Sequence, residues 1–188
     1  MEINIQDYNS ASEECLNLRE IYGKKKFLEI IGEKISGSNN PSKKLAYLEF
    51  NANQLTVVGR SNEALDVLRA IAKMNSNSVI SQLSIVSHLL FVLDQPEKAL
   101  EELSPAESLS NETGHFRRHV QAEKARIALA LNDYDMLNAA INCISQIVVM
   151  PDMRDVGKER DFFDRADKNR LKPETISNFQ NYINEMKR

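Results

Sequence analysis

The chain has 188 residues, of which 42% are hydrophobic and 27% charged, and its formal net charge is −3. This composition is typical of a folded globular protein, and the length suits one domain. The slight negative charge gives no electrostatic reason to expect nucleic-acid binding, which a basic surface would favour. The two cysteines, Cys15 and Cys143, lie far apart in the sequence and favour buried free thiols in a reducing compartment.

The N-terminal segment, residues 1–7, has neither a basic start nor an apolar core, so no signal peptide is predicted. The longest apolar run, residues 89–93, is far shorter than the ~20 residues that a membrane-spanning helix needs. From these two features we expect a cytoplasmic protein without membrane contacts.

Apolar spacing and turn residues predict helices in four pairs. The predicted helices cover residues 9–22 and 25–36, 41–58 and 61–75, 79–93 and 96–108, and 114–131 and 133–149. The connections within pairs are short, as antiparallel hairpins require, and the breaks between pairs are rich in Gly, Ser, Asn and Pro. No segment alternates with the two-residue period of a strand for long enough to predict one. The predicted fold class is all-α.

The segment after Pro151 has a different character. Residues 152–158 are predicted to be a polar connector, and a last amphipathic helix begins at Pro173. Its apolar residues are spaced 3, 4 and 3 apart on one stripe: Ile176, Phe179, Ile183 and Met186. This pattern predicts a capping helix that covers the end of the preceding helices. The alternative is a mobile helix that docks into the protein's own groove or onto a partner.

The four predicted pairs share a repeated phrase, in which a turn residue is followed five positions later by a small or aliphatic residue. The anchors are Leu28, Ala64, Ala99 and Leu137, spaced 36, 35 and 38 residues apart. A period in the mid-thirties is typical of helix-hairpin arrays, whose units bury their apolar faces against each other. We therefore predict a single domain over residues 1–188. It would be an α-α superhelix of about four antiparallel hairpins, over about residues 9–150, with a connector and capping helix over 151–188.

The spacing of small and large residues within each pair resembles the tetratricopeptide repeat family. With Gly59 as the turn glycine, the second unit places Leu48, Ala52, Leu55, Ala64, Leu68 and Ile71 at the family's signature positions. The third unit places Leu83, Ser87, Leu90, Ala99, Leu103 and Ala106 there, and the fourth has Ala125, Ala128, Leu137, Ile141 and Ile144. The first unit departs from the pattern, because Gly32 stands where the family has a bulky packing residue.

The resemblance implies a non-catalytic adaptor or scaffold that binds a protein or peptide. In that family the first helix of each unit lines a concave groove, and the ninth position of that helix points into it. Here this column is polar: Asn17, Asn53, His88 and Arg126. One turn earlier, the set includes Glu49 and Ser84. The alternative is that these positions are polar only because they face solvent. The cationic set with which some family members hold a C-terminal carboxylate is not reproduced.

Residue patterns typical of catalysis or metal binding are weak. His115 and His119 are four apart, as metal ligation on a helix needs, but arginines lie between them and no third ligand is evident. There is no glycine-rich phosphate loop and no serine-hydrolase motif. We therefore expect neither an enzyme nor a cofactor or metal. Two narrower functions stay open: a small cytoplasmic chaperone for a secreted or assembled client, and a partner-dependent regulatory module of a signalling or transcription system.

Overall fold

The computed structural model describes residues 2–147 and 157–186, with only the backbone described at 157–159. These parts of the chain contain nine α-helices and no strand, which confirms the all-α prediction. The helices are α1 Ile5–Gly37, α2 Pro41–Val57, α3 Ser61–Met74, α4 Val79–Phe91, α5 Pro96–Thr113, α6 Arg117–Ala130, α7 Tyr134–Ser145, α8 Gly157–Arg165 and α9 Pro173–Met186. Most of the predicted connector over 152–158 lies outside the described residues.

The residues group into two compact units, Met1–Asp94 and Gln95–Arg188. In the first unit α1 packs on α2, α2 on α3 and α3 on α4. In the second unit α5 packs on α6 and α6 on α7, while α9 covers α7 and α8 contacts α6. The helices α1 to α4 and α5 to α7 therefore pack against their neighbours in chain order, as the predicted helical-hairpin fold requires, while α8 and α9 pack on earlier helices of the second unit.

The first predicted hairpin lies within α1, whose continuous helix is broken at Gly23. This glycine has φ 69° and ψ 177°, a conformation that side chains with a Cβ rarely adopt. The two halves of α1 fold back on each other, since Cys15 and Ile31 share one buried cluster and Lys34 pairs with Glu14. The predicted break between residues 22 and 25 is confirmed.

Four residues with positive φ occur at the ends of helices and follow the predicted repeat: Gly23, Gly59, Asp94 and Asn132. After the last three, one residue precedes the next helix, and a fully buried anchor follows five positions after the turn residue: Ala64, Ala99 and Leu137. After Gly23, α1 resumes at once and the fully buried residue is Phe27, four positions on. The predicted anchor Leu28 is only half-buried, because this turn is one residue shorter.

The break predicted between helices 96–108 and 114–131 lies further along the chain, because α5 continues to Thr113 and α6 begins only at Arg117. The polar residues of this segment do not end the helix. Thr113 Oγ1 donates to the carbonyl of Leu109 at 2.8 Å, one turn back, which is compatible with helical backbone. The helix ends at Gly114, whose φ of 73° lies in the left-handed region.

The C-terminal helix is docked on α7, as expected of a capping helix. Phe179 is 1% exposed and packs against Phe162 and Phe163 of α8, with ring centroids 6.1 and 4.4 Å away. Polar contacts add direction, since Asn142 Nδ2 donates to Thr175 Oγ1 at 3.1 Å. The apolar stripe predicted around Phe179 therefore faces the core of the second unit.

Candidate partner-binding face

The first half of α1 and the whole of α2 lie side by side and run in the same direction. Both begin at an asparagine N-cap, Asn4 and Asn40, whose side chain accepts from the first backbone N–H groups of its helix. The two caps are also joined across the helices. The Asn4 N–H donates to Ser42 Oγ at 2.8 Å, and Asn40 Nδ2 donates to Asp7 at 2.9 Å. The two helix starts are thus held at the same end of the first unit.

Two further polar pairs join the same helices, further along from their N-caps. The Tyr8 hydroxyl donates to Glu49, and the Tyr47 hydroxyl donates to Glu14 at 2.6 Å. Burial, followed by the contact with Glu49, raises the pKa of Tyr8 to about 12. The hydrogen bonds from Lys34 and Tyr47 lower the pKa of Glu14. Glu49, one of the predicted binding residues, is therefore already engaged in holding α1 to α2.

The predicted residues Asn17 and Asn53 are exposed on these two neighbouring helices. The side-chain contacts between the two helices join residues that are 33, 38 and 41 positions apart in the sequence. Asn17 and Asn53 are 36 positions apart, which lies within this range. The two amides therefore lie at a similar level along the helix pair. Neither side chain makes a hydrogen bond within the described residues, so both amides are available to a partner.

Each of these asparagines is followed one turn later by an exposed aliphatic side chain. Ile21 is 70% exposed and Val57 is 45% exposed. Residues four apart lie on one helix face, so each asparagine shares its face with its aliphatic residue. We call Asn17, Ile21, Asn53 and Val57 the amide–aliphatic face. Sequence reasoning missed the two aliphatic residues, although both stand two positions before a turn glycine, at the same point of the repeat.

His88 and Ser84 bond to backbone groups of the protein itself, unlike the exposed amides of Asn17 and Asn53. His88 is 7% exposed, and its Nε2 lies 2.8 Å from the carbonyl oxygen of Ser61 at the start of α3. Ser84 Oγ donates to the carbonyl of Ile80, one turn earlier in α4. His88 is thus part of the packing between α3 and α4, while the half-buried Ser84 bonds to its own helix. Their partner-binding roles stay predictions from the sequence.

Arg126 belongs to the second unit. Its Nη1 lies 2.7 Å from Glu123 Oε1, and both side chains are only 12% exposed. This pair lies along one face of α6, three residues apart. Arg126 is therefore held in a largely buried ion pair, and its role in partner binding also stays a prediction.

The described residues contain no arrangement that favours chemistry at this face. No three His, Cys, Asp or Glu side chains lie together as metal ligands in the described parts of the chain. Both cysteines are free, but only Cys15 is buried, whereas Cys143 is exposed. Burial raises the pKa of Cys15 to about 12, which leaves it a protonated thiol at neutral pH. No helix among the described residues combines the length and apolar composition that a membrane crossing requires.

Comparison with protein-family models, with curated proteins and with solved structures finds no match for this chain. The resemblance to tetratricopeptide repeats therefore rests on the residue pattern alone.

Proposed function

We propose that the chain is a non-catalytic, tetratricopeptide-like adaptor of the cytoplasm, which binds a protein or peptide partner through the amide–aliphatic face. The observation that carries this proposal is the exposure of Ile21 and Val57 beside the free amides of Asn17 and Asn53. A single exposed aliphatic side chain is ordinary on a protein surface. Here the same polar–apolar pair recurs at the same point of two adjacent helices.

The chemistry of this face suits a polypeptide. A primary amide carries both a donor and an acceptor, so it can bond to the N–H and C=O groups of a peptide backbone. The aliphatic side chains supply apolar area whose removal from water favours association. Interfaces between proteins combine these two elements, an apolar centre and polar groups around it.

The rigid support of the face also favours binding. The polar contacts that hold α1 to α2 include Asn4 with Ser42, Asn40 with Asp7, Tyr8 with Glu49, and Tyr47 with Glu14. A surface that is already ordered loses less conformational entropy on binding than a flexible one. A partner would therefore meet the four side chains in a fixed arrangement.

The experiment is a comparison of partner capture by two variants of the full chain. Partners that co-purify with the wild-type protein are identified by mass spectrometry, and the leading one is titrated against each protein. The double change Ile21→Ser with Val57→Ser is expected to weaken its binding roughly tenfold or more, because two apolar contacts are lost. The matched control is Ile80→Ser, since Ile80 is also aliphatic and 45% exposed but lies on α4.

Equal affinity of the double variant and the wild-type protein would show that the partner binds at another surface. The identity of the captured partner separates the narrower functions. A secreted or assembled client supports a chaperone role, whereas a sensor or regulator protein supports a regulatory module.

A further inference from the structure

Gly32 lies in the middle of the second half of α1, where nothing in the backbone requires a glycine. Its conformation is helical, since Gly23 is the position in α1 that departs from helical φ and ψ. A Cβ atom built on Gly32 would meet no heavy atom within 4 Å, so close packing does not require glycine either. A glycine inside a helix is destabilising relative to alanine. Such a local cost without a structural reason is typical of a functional position.

The space beside Gly32 is an open pocket of about 380 Å³ between the second half of α1, the end of α2 and the start of α3. Its apolar lining consists of Leu28, Leu55 and Val67, and its polar lining consists of Asn51, Arg60, Glu63 and Asp66. Asn51 and Asn53 are about 200° apart around α2. The pocket therefore lies on the opposite side of α2 from the amide–aliphatic face.

The charges around this pocket do not balance. Arg60 donates two hydrogen bonds to Glu63, at 2.6 and 2.5 Å, so these two groups neutralise each other. Asp66 makes no hydrogen bond or ion pair within the described residues, and the half-buried amide of Asn51 is unpaired there too. The pocket thus carries one uncompensated negative charge beside an apolar wall.

We propose that this pocket receives a lysine or arginine side chain of a partner polypeptide. The methylene stem of such a side chain packs on Leu28, Leu55 and Val67, and its cationic end bonds to Asp66. Gly32 leaves room for the stem against the backbone of α1. Arg60, Glu63 and Asp66 are exposed, so the pocket is open to a side chain whose backbone stays outside it, and the negative charge of Asp66 is complementary to a cationic end.

The site rests on the proposed binding of a polypeptide, but it uses a different surface. The test is a titration of the ¹⁵N-labelled full chain, followed by the amide signals of Leu28, Gly32 and Val67. The probes are Nα-acetyl-lysine N-methylamide, its arginine analogue and its norleucine analogue, which keeps the stem and lacks the charge. Saturable shifts are expected with lysine or arginine, with affinity about tenfold or more above that for norleucine.

Three variants locate the site. Gly32→Leu fills the pocket and should abolish the shifts, whereas the matched control Gly32→Ala should keep them, because it leaves most of the pocket open. Asp66→Asn should weaken lysine binding about tenfold. Circular dichroism establishes that each variant is folded. The variant with Ile21→Ser and Val57→Ser should bind the lysine derivative like the wild-type protein, so failure at one face is distinguishable from failure at the other.

Several results would overturn the proposal. Equal affinity for the norleucine and lysine derivatives would make the site merely apolar. Equal affinity of Gly32→Leu and Gly32→Ala would place the probe elsewhere. Tighter binding of n-pentylamine than of the lysine derivative would replace the polypeptide by a free amine, and the absence of saturable shifts with every probe would remove the site.

Discussion

The hydroxyl of Tyr47 donates a hydrogen bond of 2.6 Å to Glu14, which lies 33 positions earlier in the chain. The same carboxylate also accepts from Lys34, in the second half of α1. One side chain therefore joins three helical segments: both halves of the first hairpin and α2. Tyr47 and Cys15, the neighbour of Glu14, belong to one apolar cluster, in which Cys15 is fully buried. The contact between Tyr47 and Glu14 therefore lies at the edge of this apolar core.

The contacts of Glu14 predict that the stability of the folded protein changes with pH. Its pKa in the folded protein is below the ordinary value of 4.5, because Lys34 and Tyr47 bond to its ionised form. A carboxyl group with a lowered folded pKa adds stability above its unfolded pKa, and that contribution is lost as the pH falls through the folded value. Urea unfolding should therefore show the wild-type protein more stable than Glu14→Gln at pH 7, with the difference shrinking below about pH 4.5. A difference independent of pH would contradict this role.

The buried alanines at the repeat anchors should tolerate no enlargement. Ala64 and Ala99 are fully buried, so Ala64→Leu or Ala99→Leu should lower the free energy of unfolding by roughly 1–3 kcal/mol. Asn62→Leu is the matched control, because Asn62 is exposed in the first turn of α3. Denaturant titration measures all three. An unchanged midpoint for Ala99→Leu would show that the repeat frame is wrong there.

Two glycines of α1 should respond to alanine in opposite directions. Gly32→Ala should stabilise the first unit by up to about 1 kcal/mol, because the helix gains propensity and the methyl group meets no neighbour. Gly23→Ala should destabilise it by about 1–3 kcal/mol, because φ of 69° with ψ of 177° is a backbone conformation found almost only in glycine. Thermal unfolding of both variants measures the two effects. Destabilisation by Gly32→Ala would contradict the prediction, because it would mean that the added methyl group clashes with a neighbour.

Docking of the C-terminal helix should contribute strongly to the second unit. Phe179→Ala should cost about 3–5 kcal/mol, because a fully buried aromatic ring is lost from the contact with Phe162 and Phe163. Gln180→Ala, at the exposed neighbouring position, should stay within about 0.5 kcal/mol of the wild-type protein. Hydrogen exchange of the α7 and α9 amides would report the loss locally. Unchanged protection in Phe179→Ala would contradict the capping role.

Much of the helical framework could be predicted from the sequence, because its signals are local. The glycine at 59 and the proline at 96 mark a helix end and a helix start within a few residues, and the structure places both there. The small residues at 64 and 99 also proved to be buried anchors. Such signals depend on backbone conformation and on the 3.6-residue period, which a short stretch of chain already contains.

The surface was less predictable, because exposure depends on the helices that pack nearby. Asn53 and His88 occupy the same point of the repeat, yet Asn53 faces water while His88 is turned against the backbone of α3. Most of the helices, most of their turns and the three later anchors could thus be predicted from local patterns. Two features could not, because they depend on how the helices of the first unit pack together: Phe27 is buried in place of Leu28, and a pocket lies beside Gly32.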